Sequence, residues 1–335
     1  MTTLSETLPR NEVRALRGAD FVRGMNRLLP LGRKYCSLIR VLNGSDGLAA
    51  VPFGPYSLIL PAAWTKSLTQ LLLSRGVVAE FELLKPLCRS LPPGLLIDAG
   101  ANIGLYTLLL RSVSSLPIIA YEPQPLLHKL LRWNIANNNL PKVETRNIAL
   151  GSGPDEVPFW LGLNGSVLPA AAMARKPNIV APSETRTWEE EVRLANEGRN
   201  AAMVRVTTLD QDLADQPSIS LLKIDCEGFE CEILRGASAL IQRHRPLLFI
   251  EVHPEELRHF NHSTQDVLDL IPSDYDLEFW YFRMGRYTSK FAHSLAKFRK
   301  PKGHRCANTA EMLAAANTVP GPAQIYLVGH PRRKH

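Results

Sequence analysis

Four short segments hold the residue types from which a reaction could be built. The first is Asp98-Ala-Gly100-Ala-Asn102-Ile-Gly104, directly after the apolar run Leu95-Leu-Ile. The second is Tyr121-Glu122-Pro123 and the third Lys223-Ile-Asp225-Cys-Glu227-Gly228-Phe-Glu230. The fourth is Glu251-Val-His253-Pro254. Each lies at the end of an apolar run of strand length, and helical spacing follows the first three. Carboxylates and a histidine at the ends of parallel strands converge on the crevice where open α/β sheets bind their ligands.

In the first segment Gly100 lets the backbone approach a ligand closely, and Gly104 lets the following helix pack tightly on its strand. The spacing is not the dinucleotide fingerprint GxGxxG, since Asn102 stands where the second glycine belongs, and GxxxxGK[ST] is absent. Asp98 would repel a pyrophosphate and attract an ammonium or a sulfonium. Glu122, eighteen residues past Gly104, suits the two hydroxyls of a ribose. One ligand with a cationic amino-acid end and a ribose satisfies both carboxylates, and S-adenosylmethionine is such a ligand. The bland alternative makes Asp98 a helix cap and Glu122 a solvated strand end.

In the third segment Lys223 and Asp225 share one face of a strand. A lysine in an apolar strand needs carboxylate partners, and those beside it are the natural ones. Gly228 frees the backbone to turn into the next helix. Adjacent strand ends then gather Asp225, Glu227, Glu251 and His253 around one crevice. This group offers two chemistries. Asp225 or His253 can act as general base on a substrate hydroxyl, or the acids can hold a divalent metal such as Mg²⁺ through oxygen. Methyl transfer needs no metal when a base is present, so no residue is assigned to one. His259 and His262 read as surface residues.

The elements that must position these groups alternate. Strands are expected at Leu95–Asp98, Pro117–Glu122, Val143–Ile148, Ile219–Asp225 and Pro246–Val252, with helices at Ile103–Ser112, Pro125–Asn138 and Glu230–Arg243. That alternation argues for a parallel sheet covered on both faces. Val157–Leu161 and Val204–Thr207 read as paired strands, and Tyr275–Phe282 with Gln324–Gly329 as an antiparallel pair closing the sheet. Upstream, 1–45 reads as basic amphipathic helices, Leu48–Leu60 as a hairpin around Gly54-Pro55, and Ala63–Leu73 and Val78–Leu91 as helices. The polar stretch Asn164–Arg199, with a short helix at Trp188–Val192, and Arg283–Pro322, with one at Ala310–Ala316, read as long loops.

The bulk numbers bound the class. The chain has 335 residues, 45% hydrophobic, and a net charge of +7 concentrated at its two ends. No apolar run approaches the roughly 20 residues of a membrane-spanning helix. Five scattered cysteines (Cys36, Cys88, Cys226, Cys231 and Cys306) form neither a CxxC pair nor a zinc set. With no secretory leader pattern, they point to a reduced, cytoplasmic protein. The basic ends carry no interleaved aromatic residues, which disfavours a nucleic-acid platform without excluding one. The oligomeric state is not legible.

Leu96–Tyr106, Tyr121–Pro123, Asn147–Gly151, Val206–Asp210 and Leu222–Glu230, followed by Gly236-Ala237 and Pro246–Val252, resemble in order and spacing the FkbM-type methyltransferases. The resemblance runs from about Gly76 to Pro254. It implies a Rossmann-like class I methyltransferase fold, α/β, with a seven-stranded sheet, mostly parallel, whose last strand is antiparallel. It also implies O-methylation of a sugar or natural-product hydroxyl. The cofactor residues carry over to Asp98, Gly100, Asn102, Gly104 and Glu122, and Asn147 and Asp225 are expected to complete the cofactor set. The KIDxEGxE motif carries over to Lys223, Asp225, Glu227, Gly228 and Glu230, with Cys226 where valine is commoner. The expected catalytic set is Asp225, His253, Lys223 and Glu227. The expected organisation is a helical and hairpin extension over 1–75, then a methyltransferase domain over 76–335 with an insertion at 164–200 and a variable loop at 283–322, these two loops supplying lid and acceptor pocket. The acceptor is expected to be a small molecule or glycan. The alternatives are a nucleic-acid or protein methyltransferase that docks through its basic ends, and a cofactor-binding module without catalysis.

Overall fold

In the computed structural model, which describes residues 48–53, 55–61, 76–162, 177–181, 188–197, 200–283, 303–318 and 323–332, the apolar runs become the strands of one mixed sheet. A hairpin of β1 (Leu48–Phe53) and β2 (Tyr56–Pro61) precedes helix α1 (Gly76–Arg89). Then come β3 (Leu95–Ala99), α2 (Leu105–Val113), β4 (Ile118–Tyr121), α3 (Pro125–Asn137) and β5 (Val143–Arg146). The chain next builds a second sheet with β6 (Ala149–Leu150), β7 (Asp155–Trp160), β8 (Asn178–Ile179), α4 (Trp188–Asn196) and β9 (Asn200–Thr207). It returns through α5 (Leu209–Asp212), β10 (Ile219–Ile224), α6 (Glu230–Arg235), α7 (Ser238–His244) and β11 (Leu247–Val252). The last elements are α8 (Pro254–His259), α9 (Thr264–Asp269), β12 (Tyr275–Arg283), β13 (His304–Arg305), α10 (Thr309–Thr318) and β14 (Ala323–Pro331).

The main sheet runs β13-β12-β14-β11-β10-β3-β4-β5. The five strands from β11 to β5 are parallel, and β14 is antiparallel to both β11 and β12. The sheet thus has eight strands where seven were expected. The additional one, β13, is a two-residue pairing of His304 and Arg305 along β12, inside a stretch whose sequence reads as loop. Every residue of β3, β10 and β11 is buried, as strands sandwiched between two layers must be.

Two expected elements are interrupted where the site is built. The strand expected over Val143–Ile148 ends at Arg146, whose carbonyl takes the Glu122 N–H, and the chain then enters the second sheet, where β6 pairs with β9. The helix expected over Glu230–Arg243 breaks at Gly236-Ala237. The Gly236 carbonyl is diverted to the Asp210 N–H, and the Asp210 carboxylate accepts from the Ala239 and Leu240 N–H groups at 3.1 and 2.7 Å, restarting the helix as α7.

The hairpin is fastened to α3 by two asparagines. Asn134 donates to the carbonyls of Ile59 (3.0 Å) and Ile103 (2.8 Å) and accepts from the Ile59 N–H. Asn138 pairs with both backbone groups of Ser57. Leu58, Ile59 and Leu60 are fully buried there against Leu126, Leu127 and Leu130. The basic segment 1–45, the helix expected over Ala63–Leu73 and most of 164–199 and 284–302 lie outside the described residues.

Candidate active site

Asp98, near the end of β3, is wholly buried, and Lys223, from the neighbouring strand β10, is 1% exposed. The Lys223 Nζ lies 3.0 Å from Asp98 Oδ1 and 3.5 Å from Asp225 Oδ2. It also donates to the carbonyls of Gly100 (3.0 Å) and Ala99 (3.3 Å) and sits 4.5 Å over the Tyr106 ring. Thr107, in the first turn of α2, donates to Asp98 Oδ2 at 2.6 Å. Burial alone would lower the Lys223 ammonium, but Asp98 and Asp225 outweigh it and hold the group above the ordinary lysine range.

Two of the expected site residues lie behind the cleft rather than on its lining. The oxygens of Asp98 are turned inward onto Lys223 and Thr107. Lys223 ties the Asp98–Gly104 loop to the end of β10. Gly100 explains the close fit. Its φ is +77°, and a Cβ there would lie 1.9 Å from the Asp225 carbonyl oxygen. Gly104, also left-handed, packs against Leu131 of α3 rather than against the cleft.

Above this loop an open cleft is lined by Gly100, Asn102, Glu122, Asp225 and Glu227, with Ile148, Leu150, Phe229 and Ile233 as its apolar wall. Glu122 is 4% exposed. Its two oxygens accept the Asn102 and Gln124 N–H groups at 2.8 Å each. Burial, opposed by those two bonds, pushes its carboxyl up to about 7. Each oxygen keeps lone-pair capacity for a hydroxyl donor. Asn147 lies outside this cleft. Its side-chain amide donates to the carbonyls of Glu122 and Pro123 at 2.8 and 2.9 Å, so it braces the end of β4. No basic side chain lines the cleft among the described residues, and three carboxylates do, so a diphosphate is a poor fit. A ribose at Glu122, an adenine on the apolar wall and a cationic centre near Asp225 match the lining chemistry of S-adenosylmethionine.

The crevice continues past Asp225 into a ring of acids around His253. The His253 Nε2 faces Asp225 Oδ1 at 3.7 Å, Glu251 Oε1 at 3.8 Å and Glu227 Oε2 at 3.9 Å. Its Nδ1 meets Oε1 of the fully buried Glu230 at 2.5 Å. Burial would lower the imidazole, but Glu230, Glu251 and Asp225 together raise it well above its ordinary value. Burial pushes Glu227 up to about 7, and burial with the nearby Asp225 pushes Glu251 up to about 8. Asp225, Glu251 and His253 each offer a donor atom within 4.8 Å of the others, the spacing of side chains able to hold one metal ion. The four residues expected around one crevice are thus brought together, each at the end of β10 or β11. Glu227 is held at a φ of 47°, outside the usual range for a residue with a side chain. Gly228 beside it has no room for a Cβ, which would lie 2.6 Å from the Glu256 backbone.

Behind the crevice lies a group that sequence reasoning missed. Tyr326 of β14 donates to Glu251 Oε2 at 2.6 Å. Tyr106 of α2 donates to Glu80 of α1 at 3.2 Å and lies 3.5 Å from the Tyr326 hydroxyl. Glu80 is 3% exposed, and burial pushes its carboxyl up to about 7. One signal was available: Glu80 shares a helical stripe with Leu84 and Cys88, both buried, and an acid on an apolar stripe needs a partner.

Comparison with known proteins identifies the family. Residues 98–280 match the Methyltransferase FkbM domain family. The methyltransferase sdnD of Sordaria araneosa is 30% identical over 161 residues, covering 42% of this chain and 59% of that protein. Methyltransferase 1 of Beauveria bassiana is 27% identical over 148 residues, covering 42% of this chain and 57% of its own. The chain therefore spans less than two thirds of the length of these relatives. Among solved structures, a methyltransferase FkbM from Methylobacillus flagellatus aligns at 19% identity and a TM-score of 0.34, over 55% of this chain and 39% of that one. Because the family match spans more than half of its 335 residues, the chain belongs to the FkbM methyltransferases.

Proposed function

We propose that the protein transfers a methyl group from S-adenosylmethionine to a hydroxyl oxygen of a small-molecule or glycan acceptor. The observation that carries this reading is the continuity of two sites: the cleft floored by Glu122 opens directly onto the acid ring at Asp225 and Glu227. The cofactor supplies an electrophilic methyl on a sulfonium. Glu122 accepts the ribose hydroxyls, the wall of Ile148, Leu150, Phe229 and Ile233 takes the adenine, and Asn102 and Gly100 shape the turn between them. Asp225 and Glu227 face the cleft, so they orient the acceptor hydroxyl and take its proton. Their side chains are 24% and 35% exposed, open enough for the proton to pass on to water. Holding two reactants in line at such a junction is where most of the acceleration of a displacement arises.

The test uses purified protein and cofactor labelled in its methyl group, offered to a panel of hydroxylated small molecules and glycans. Asp225→Asn is expected to keep cofactor affinity by calorimetry while turnover falls at least about a hundredfold, the usual range for a positioned acid or base. Label recovered on RNA or on protein nitrogen instead would sink the hydroxyl assignment.

A further inference from the structure

We propose that Asp225, Glu251 and His253 form a binding site for one divalent cation, which would hold the acceptor oxygen at the mouth of the cleft. Each of the three side chains has one donor atom fixed by a group outside the trio. Lys223 holds Asp225 Oδ2 (3.5 Å), Tyr326 donates to Glu251 Oε2 (2.6 Å), and Glu230 pairs with His253 Nδ1 (2.5 Å). The remaining donor of each then points inward: Asp225 Oδ1 and Glu251 Oε1 lie 3.7 and 3.8 Å from His253 Nε2. Those separations are too long for hydrogen bonds. They are a few tenths of an ångström wider than the roughly 3.0–3.4 Å between two ligands bound at about 2.1 Å in octahedral or tetrahedral geometry, a gap that small side-chain shifts onto an ion would close.

Two further observations point to a ligand rather than to a self-contained cluster. The Glu251 side chain is 11% exposed, and its Oε1 faces His253 Nε2 across 3.8 Å, leaving room between them. Glu230 is fully buried, and its Oε2 has no hydrogen-bond partner among the described residues. Four carboxylates (Asp225, Glu227, Glu230 and Glu251) surround a single imidazole, while Lys223 is answered by Asp98. Carboxylates crowded in this way are relieved either by taking up protons or by a bound cation. The outer contacts are of the kind that orient metal ligands: a carboxylate on the far nitrogen of the histidine and a hydroxyl on the second oxygen of a carboxylate. A histidine with two carboxylates suits Mn²⁺, Zn²⁺ or Mg²⁺.

The role given to the ion rests on reading this crevice as the acceptor site; ion binding itself does not, and the experiment separates the two. Full-length protein stripped with a chelator is titrated with Mn²⁺, and separately with Zn²⁺ and with Mg²⁺, in the absence of cofactor. Bound Mn²⁺ is followed by loss of the free-ion paramagnetic resonance signal, Zn²⁺ and Mg²⁺ by calorimetry. At least one of the three should bind at one ion per chain, and Glu251→Gln or His253→Gln should abolish that binding. Tyr326→Phe, which keeps the ring and every proposed ligand but removes the hydrogen bond to Glu251 Oε2, should weaken it about tenfold, the usual effect of removing an outer-shell hydrogen bond. Cofactor affinity, measured in parallel, should be unchanged in Tyr326→Phe. Absence of stoichiometric binding of all three ions to the wild type, or undiminished binding in both Glu251→Gln and Tyr326→Phe, overturns the ion site and leaves the cofactor cleft standing. Normal ion binding with no cofactor binding would instead overturn the proposed function.

Discussion

Replacing Asp98 by asparagine separates the role found for it from the one its sequence suggested. The carboxylate lies 3.0 Å from a 1%-exposed ammonium and is itself wholly buried. At an effective dielectric constant of about 20 the pair attraction is ~5 kcal/mol, and removing one partner of a buried pair typically costs about 3–5 kcal/mol. Lys223 keeps the carbonyls of Ala99 and Gly100 and the more distant Asp225, and the asparagine oxygen can still accept from Thr107 or Lys223. The expected loss is therefore at the lower end, about 3 kcal/mol. Lys223→Met alone leaves Asp98 with Thr107 as its remaining side-chain partner and should cost a similar amount, whereas the double variant removes both charges. It should be more stable than the sum of the single losses by at least about 2 kcal/mol, the coupling expected of contacting groups. Urea unfolding of the four proteins, with and without S-adenosylmethionine, supplies the cycle. An unchanged unfolding midpoint in Asp98→Asn together with complete loss of cofactor binding would refute this account, because the carboxylate would then be meeting the ligand and not the lysine.

Three other outcomes follow from the same geometry. Glu122 is raised to about 7 by burial, so its proton competes with the ribose hydroxyls as pH falls. Cofactor affinity should weaken by up to about tenfold per unit below about pH 7, and calorimetry across that range should find Glu122→Gln weak and flat with pH. Gly100→Ala places a Cβ 1.9 Å from the Asp225 carbonyl at a φ of +77°; the turn must shift, and cofactor affinity should fall about 5- to 150-fold for a strain of about 1–3 kcal/mol, with the circular dichroism spectrum retained. Asn134→Leu strands the Ile59 N–H and two carbonyls, which should cost about 2–3 kcal/mol and appear as lost hydrogen-exchange protection in the β1–β2 hairpin.

The parallel core was legible because its strands are short apolar runs separated by helical spacing, and the segments that follow Leu95, Ile118, Ile219 and Leu247 are the ones that meet in space. What sequence could not show was which way each acid turns. Asp98 and Glu122 both end a strand beside the same loop, yet Asp98 is captured by a lysine 125 residues away, a contact that exists only once β3 and β10 pair. Asn147 belonged to the right segment but braces a turn, because a side-chain amide can donate to two carbonyls at once. Glu80 and Tyr326 were missed since their partners come from opposite ends of the chain. β13 escaped because two residues of edge pairing leave no periodic pattern to read.

A lysine inside a fully buried strand is hard to justify by stability alone, since an apolar residue of similar volume often serves as well or better. Its value here is geometric. One ammonium bonds the carbonyls of Ala99 and Gly100, the carboxylate of Asp98 and, from the far side, Asp225 Oδ2. The turn that shapes the cleft and the acid at its mouth are therefore fixed to one atom. Any ligand that moved the Gly100 turn would move Asp225 with it, and a methionine at position 223 would leave each free to settle separately. The Lys223→Met/Asp98→Asn variant is then expected to lose less stability than the two single losses together, yet to be poorer in turnover than in cofactor affinity, a split that packing loss alone would not produce.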